Sequence, residues 1–338
     1  MNRQNVCFAR AYGEPREAGA EIGRQLADEI REAISALGVP ERFEDGHCQC
    51  CGLKPEMIAT NLETQAPELL AEMEGLAEGA GVPAASIFMM NWLMLPRGAK
   101  GAALAFADAP GGPAVAVTLA KQLPAAVPVA VTAIDVPGRA EVLLIGAPGL
   151  VGCVAGVNSH GIAMTLTPVE SNESRADGLP SAMVARMALQ QSRTLDEALA
   201  ILDDAKLACC PWDAILADKE RAVLVARGLD NMAVREAVDG AVWAADSYGV
   251  RDRLARLAAE KPHTGEGVQE ALVDCGEPDP ICACGMGDRA YVFGAVVRPR
   301  ARVILLAAGE PCKTEFRPFQ LKLAVTGAGS HLAGEYQQ

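Results

Sequence analysis

Thiols are the groups in this chain whose number and spacing could do chemistry. Eleven cysteines occur in 338 residues, and an odd number cannot all pair within one chain. Cys48, Cys50 and Cys51 follow His47 directly, Cys275, Cys282 and Cys284 form a second group, and Cys209 and Cys210 are adjacent. Cys7, Cys153 and Cys312 stand alone. Thiolates with an imidazole suit zinc, copper(I) or iron, the last also as an iron–sulfur cluster. His47, Cys48, Cys50 and Cys51 offer four such ligands within five residues, although not at the Cys-x-x-Cys spacing of common zinc knuckles. Cys282 and Cys284 follow the stiff segment Pro278-Asp279-Pro280 and are the other candidate metal ligands. Plain buried thiols and a redox disulfide are the competing readings of both groups. Cys209 and Cys210, before Pro211-Trp212-Asp213, read as a buried small-residue pair, and His160, His263 and His331 as solvated side chains.

Composition narrows the partners. A formal charge of −13 disfavours nucleic acid and anionic membrane surfaces, both of which need clustered Lys and Arg. No apolar run approaches the roughly 20 residues of a membrane span. Met1 to Cys7 lacks the apolar core of a secretion signal, so the expected location is cytoplasmic. Half the residues are hydrophobic but only 4% are aromatic, which predicts close packing and no broad aromatic platform.

The elements that must position these groups follow from periodicity. Ile22, Leu26, Ile30, Ile34 and Leu37 recur at helical spacing and predict a helix over 15–37, ended by Gly38-Val39-Pro40. Ile58, Leu62, Ala66, Leu69, Met73 and Leu76 make one apolar stripe and predict a second, with Glu41 to Lys54, which carries His47 to Cys51, as a loop between them. From 102 to 170, short Val, Ala, Leu and Ile runs broken by Pro and Gly predict buried strands at Pro113 to Leu119, Val127 to Ile134 and Glu141 to Ile145. Helical structure returns over about 180–205, with Met183 and Met187 one turn apart and then Leu195, Ala198 and Leu202 on a common face; strands are expected at 213–217 and 221–227, helices at 248–260 and 265–274, and strands at 290–297 and 302–307. Helices flanking antiparallel strands give an α+β fold, and no repeat or linker marks a boundary within 1–338.

Four stretches carry a family resemblance. Pro67 to Gly81 with the later Asn91, the glycine-rich Gly149 to Ala163, Gly178-Leu179-Pro180 with Arg186, and Gly309-Glu310-Pro311-Cys312 with Phe316 occur in an order and spacing similar to the acyl-CoA:6-aminopenicillanate acyltransferase-like (peptidase C45) family. The resemblance implies the four-layer αββα sandwich of N-terminal-nucleophile hydrolases. It also implies a precursor that cuts itself before a cysteine, which then serves as nucleophile and amine base. In the register set by Ala102 to Phe106 and Pro110-Gly111-Gly112, Ala102 stands at the nucleophile position, and an alanine side chain has no group that can attack a carbonyl. Ala103 stands where Thr or Ser usually follows, and Val117-Thr118-Leu119-Ala120 replaces the family's Gln-Asn-x-Asp strand. A single Cys-to-Ala change would explain the first loss and not the second.

The resemblance makes Asn158 the expected oxyanion donor, whereas the residues alone read Gly156 to Gly161 equally as a structural turn. Cys153 lies close enough in sequence to be the first candidate for a replacement nucleophile. Cys282 and Cys312 match cysteines of the family and are readable as inherited core residues. The functional expectation is a repurposed acyltransferase or amidohydrolase relative without its nucleophile, serving in a biosynthetic pathway or complex, with Zn, Cu or Fe at its Cys/His clusters. Residues 1–101 would be a helical equivalent of the family's pro-segment, left uncleaved, and 102–338 the sheet core. An amide hydrolase or acyltransferase held as a Cys-to-Ala precursor and a non-catalytic binding scaffold are the alternatives. A small-molecule or peptide substrate and a partner protein stay open.

Overall fold

The computed structural model describes residues 6–39, 54–93, 99–123, 127–175, 177–204, 209–282, 284–285 and 290–321. The chain opens with β1 (Val6–Tyr12), then α1 (Pro15–Gln25), α2 (Ala27–Ala36), α3 (Pro55–Gln65), α4 (Pro67–Ala80) and α5 (Ala84–Leu93). Six strands follow: β2 (Ala99–Phe106), β3 (Ala114–Gln122), β4 (Val129–Asp135), β5 (Val142–Gly146), β6 (Ala155–Asn158) and β7 (Ala163–Pro168). After α6 (Ser181–Gln191) and α7 (Leu195–Asp203) come β8 (Trp212–Ala217), β9 (Ala222–Arg227), β10 (Met232–Glu236) and β11 (Ala241–Ala245). The last elements are α8 (Tyr248–Glu260), α9 (Gly265–Leu272), β12 (Ala290–Arg298), β13 (Val303–Ala308) and β14 (Arg317–Gln320).

Two sheets form. One has eight strands in the order β1-β4-β5-β6-β7-β8-β9-β10, the other six in the order β11-β2-β3-β12-β13-β14. Every pairing is antiparallel except β1 on β4. The sheets stack through β2 and β3 against β7 and through β11 against β8. Helix α6 covers the eight-stranded sheet at β6 and β7, and α8 and α9 cover the six-stranded sheet. The four layers predicted from the sequence are therefore present.

Side-chain alternation along β2 and β3 assigns each residue to a layer. Ala103, Ala105, Val115 and Val117 join the core between the sheets. Ala102, Leu104, Phe106, Ala114 and Ala116 point the other way, into a second core under α8 and α9 with Leu254, Leu257 and Val268. The period of two thus decides that Ala102 faces the helices and not the sheet interface.

Three expectations are corrected. The helix predicted over 15–37 is two, broken at Leu26 with φ −116° and ψ 26°. The stripe from Ile58 to Leu76 is also two helices, because Pro67 bars the preceding residue from helical backbone and Ala66 adopts φ −149° and ψ 59°. The segment before residue 102 is not purely helical: β1 adds a strand to the larger sheet beside β4, and β2 begins at Ala99.

Helix α4 is held against α1 by glycines at both contact surfaces. A Cβ on Gly75 would lie 2.0 Å from the Arg16 carbonyl oxygen, and one on Gly19 2.1 Å from that of Glu72. Only the absence of side chains allows this approach. The same helix carries Glu72, whose carboxylate meets the Arg186 guanidinium of α6 at 3.1 Å with both side chains buried. Arg186 also donates to the Val151 carbonyl at 3.3 Å and to Gln190 Oε1 at 3.2 Å, so the pair ties α4 to α6 and to the glycine-rich turn. Burial raises the Glu72 carboxyl against the opposing pull of Arg186.

Candidate functional site

Ala102 is 2% exposed and lies inside an unbroken ladder, paired with Thr118 on one side and Ala245 on the other. Gly294 of β12 continues the row beyond Thr118, and Ala307 of β13 beyond that. Ala245, Ala102, Thr118, Gly294 and Ala307 therefore cross the outer face of the six-stranded sheet as a band of small side chains. Small residues leave room for something to lie on top. Thr118 Oγ1 donates to the Ile281 carbonyl at 3.1 Å, and a Cβ on Gly294 would come within 2.5 Å of the Pro311 ring. The segment carrying Cys282 and the turn carrying Cys312 are thus both seated on the row that contains Ala102.

The backbone at the expected cleavage point is equally committed. The Gly101 carbonyl accepts from Asp246 N–H at 3.2 Å. Burial raises the Asp246 carboxyl, with Lys100 and neighbouring backbone opposing the shift. Arg251 donates from Nε to the Ala245 carbonyl at 2.9 Å and lies 3.5 Å from Asp213. Asp246 was not among the residues singled out from sequence; its only signal is a polar residue ending the run Ala241 to Ala245 just before α8.

Asn158 is fully buried, and its side chain uses all of its hydrogen-bonding capacity. Nδ2 donates to the carbonyls of Leu189 and Ser192 at 2.8 and 2.9 Å, while Oδ1 accepts from the N–H groups of His160 and Ile162 at 3.0 and 2.9 Å. Both amide hydrogens are spent on anchoring the end of α6, while Oδ1 closes the β6–β7 turn, which leaves no donor for an oxyanion. The turn also sits at the other end of the sandwich from Ala102: Gly161 packs on Lys219 and Pro299, and Gly112, past the far end of β2, packs on Lys219 and Arg300. Asn158 and Ala102 are not brought together.

Cys153 is buried to 1% exposure and burial pushes its thiol up to about 12, so the nucleophilic thiolate is suppressed. An apolar cavity between the sheets is lined by Ala99, Leu119, Leu150, Gly152, Met183 and Tyr291, on the face of β2 and β3 opposite to Ala102. Asn91 borders this cavity, but its amide bridges the Ile87 and Gly149 carbonyls at 2.9 Å each and its Oδ1 accepts from Val151 N–H at 3.0 Å.

The thiols are gathered more tightly than the sequence groups suggested. The sulfurs of Cys275, Cys282, Cys284 and Cys312 all lie within 4.8 Å of one another. Cys282 and Cys284 were expected as ligands and are joined here by Cys275 and by Cys312, which the sequence left standing alone. Cys312 arrives from the β13–β14 turn, so no local spacing could pair it with the others. Beside it, Gly285 N–H donates to Glu310 Oε1 at 2.6 Å, and Glu310 pairs with Lys313. Burial pushes the Cys275 thiol up to about 12 and raises that of Cys282 as well. His47, Cys48, Cys50 and Cys51 lie outside the described residues.

One further expectation changes. His263 is not simply solvated: its ring stacks on Phe106 at 4.3 Å, with Nδ1 2.7 Å from Asp108 Oδ1. Cys209 and Cys210 are buried as expected, with sulfurs 3.8 Å apart.

Two stacked, largely antiparallel sheets enclosed by helices make a four-layer α+β sandwich. Residues 139–249 match the family model "Acyl-coenzyme A:6-aminopenicillanic acid acyl-transferase", a stretch that includes Gly149 to Ala163 and Gly178 to Arg186. The match begins after Ala102, whose assignment rests on the motif around it. No curated protein sequence matches the chain. Among solved structures, the chain is similar to a Caenorhabditis elegans N-acylethanolamine-hydrolyzing acid amidase ortholog, with TM-score 0.44 and 12% identity over 65% of this chain and 100% of that one. It is also similar to a mutant of the conjugated bile acid hydrolase from Clostridium perfringens, with TM-score 0.39 and 9% identity over 66% of this chain and 97% of that one. Among the described residues, no helix is long and apolar enough to cross a membrane.

Proposed function

We propose that this chain is a repurposed relative of the acyltransferase family that has given up attack from residue 102, persists as one uncleaved polypeptide, and uses its clustered thiols to hold a metal ion, within a biosynthetic pathway or complex. The observation that carries this reading is Ala102 itself: a side chain without a nucleophile, 2% exposed, in a continuous ladder beneath the cysteine-bearing segments. Self-cleavage by an N-to-S acyl shift needs a side-chain thiol on the residue after the scissile bond, and this position supplies only a methyl group. The second departure from the family pattern points the same way. Thr118 is not a leftover at a vanished polar strand, since its hydroxyl holds the Ile281 carbonyl and so seats the segment that covers Ala102.

The test is restoration. Ala102→Cys in the full-length chain is expected to remain a single polypeptide and to show no hydrolysis of simple amides or acyl-CoA thioesters, because the added sulfur would point into the packed core under α8 and α9. Cleavage near residue 101 together with new amidase activity would show that the chain is a silenced precursor of an ordinary family enzyme.

A further inference from the structure

We infer that Cys275, Cys282, Cys284 and Cys312 form one mononuclear tetrathiolate site for a divalent ion of the Zn2+ type, and that this ion clamps the α9–β12 connection and the β13–β14 turn together over the small-residue row containing Ala102. The inference rests on the proposed shift to thiol-based metal binding and names its ligands, its geometry and its mechanical role.

Sulfur spacing carries the argument. Four thiolates arranged tetrahedrally at a Zn–S distance of about 2.3 Å stand about 3.8 Å apart. The four sulfurs here fall within 4.8 Å of one another, and Cys275 and Cys284 are 3.4 Å apart, so a single ion is reached by small side-chain adjustments. A cubane iron–sulfur cluster interposes four irons and four sulfides between its ligands and sets the cysteine sulfurs farther apart than this. The all-sulfur donor set selects against Mg2+ and Ca2+, which take oxygen ligands.

The surroundings fit the charge. Loading a divalent ion releases the thiol protons to solvent and leaves four thiolates around it, a net of two negative charges. The Lys313 ammonium follows Cys312 directly in the chain and is paired with Glu310, which also accepts from the N–H of Gly285 beside Cys284. Such second contacts orient thiolate ligands and offset their charge. The ligands come from two separate stretches of chain, and each stretch has its own seat on the sheet: Ile281 on Thr118, Pro311 on Gly294. An ion at the four sulfurs therefore closes a bridge across the old nucleophile row.

The experiment uses the full-length reduced chain. Metal content is measured after purification without chelators for wild type, for Cys282→Ser and Cys312→Ser, and for a triple variant at Cys48→Ala, Cys50→Ala and Cys51→Ala. Co2+ titration of the wild type reads coordination directly and needs no variant to fold. The expected result is one ion per chain in wild type and in the triple variant, loss in Cys282→Ser and Cys312→Ser, and the sulfur-to-cobalt charge-transfer bands of a tetrahedral tetrathiolate. Metal that follows Cys48, Cys50 and Cys51 would overturn this inference and leave the thiol-metal reading standing. Absence of any metal, with no Co2+ spectrum, would overturn both. Iron with acid-labile sulfide would overturn the single-ion geometry.

Discussion

Replacing Thr118 by valine or by serine separates two accounts of the row beside Ala102. Thr118 is 1% exposed, and its Oγ1 donates to the Ile281 carbonyl at 3.1 Å. Thr118→Val keeps the shape and leaves that carbonyl without its hydroxyl partner, at a cost of about 1–3 kcal/mol for an unsatisfied buried acceptor. Thr118→Ser keeps the hydroxyl and removes one methyl group, a loss of about 1 kcal/mol by apolar burial. If the hydrogen bond seats the cysteine-bearing segment, valine is the more damaging change. If Thr118 merely fills space among apolar neighbours, the order reverses. Urea unfolding followed by circular dichroism, in the presence of a chelator so that metal linkage does not enter, gives both values on one scale. A valine variant as stable as wild type, with serine less stable than valine, would refute the seating of Ile281 on Thr118 and with it the bridge over Ala102.

Gly75→Ala in α4 should destabilise the chain by about 1–3 kcal/mol despite alanine's better helix propensity, because the new methyl meets the Arg16 carbonyl of α1 and the helices must part; thermal unfolding reads the drop, and an unchanged or raised midpoint would show that the helices are not in that contact. Glu72→Leu or Arg186→Met alone should each cost about 3–5 kcal/mol, whereas the double change should cost less than either, since it leaves no unpaired buried charge; a denaturant double-mutant cycle that gives simple additivity would contradict the pairing. Cys153 should resist iodoacetamide at pH 8 in the native chain and react only on unfolding, because burial both shields its thiol and holds it protonated near 12; peptide mass spectrometry showing native-state labelling of Cys153 as fast as that of the exposed Cys312 in chelated protein would restore it as a candidate nucleophile.

The layers of the fold were legible because period-two apolar runs and helical stripes are local signals. Helices α8 and α9 and strands β12 and β13 fall where periodicity put them. The breaks were harder to read. Pro67 interrupts an otherwise continuous stripe, and its effect on Ala66 is a backbone restriction that an apolar count ignores. Strand β1 was missed although Val6 to Tyr12 is apolar apart from Arg10, because it is one short edge strand whose partner β4 arrives much later in the chain. At the site, the break at Ala102 was readable from the motif around it, but the direction of its side chain was not, since that depends on sheet register. Cys275, Cys282 and Cys284 looked like a group because they are near in sequence. Cys312 joins them only through the pairing of β12 with β13 and the turn that follows. For Asn158 the residue type was right for either role, and only its four hydrogen bonds reveal how its amide is used.

Native mass spectrometry of the full-length chain, purified reduced and without chelators, tests the central claim most directly. The account predicts one species, a single polypeptide uncut at Gly101 and carrying one divalent ion, which becomes the same intact polypeptide without the ion on acidification. Two fragments divided near Gly101 would contradict it, as would an intact chain that never carries metal.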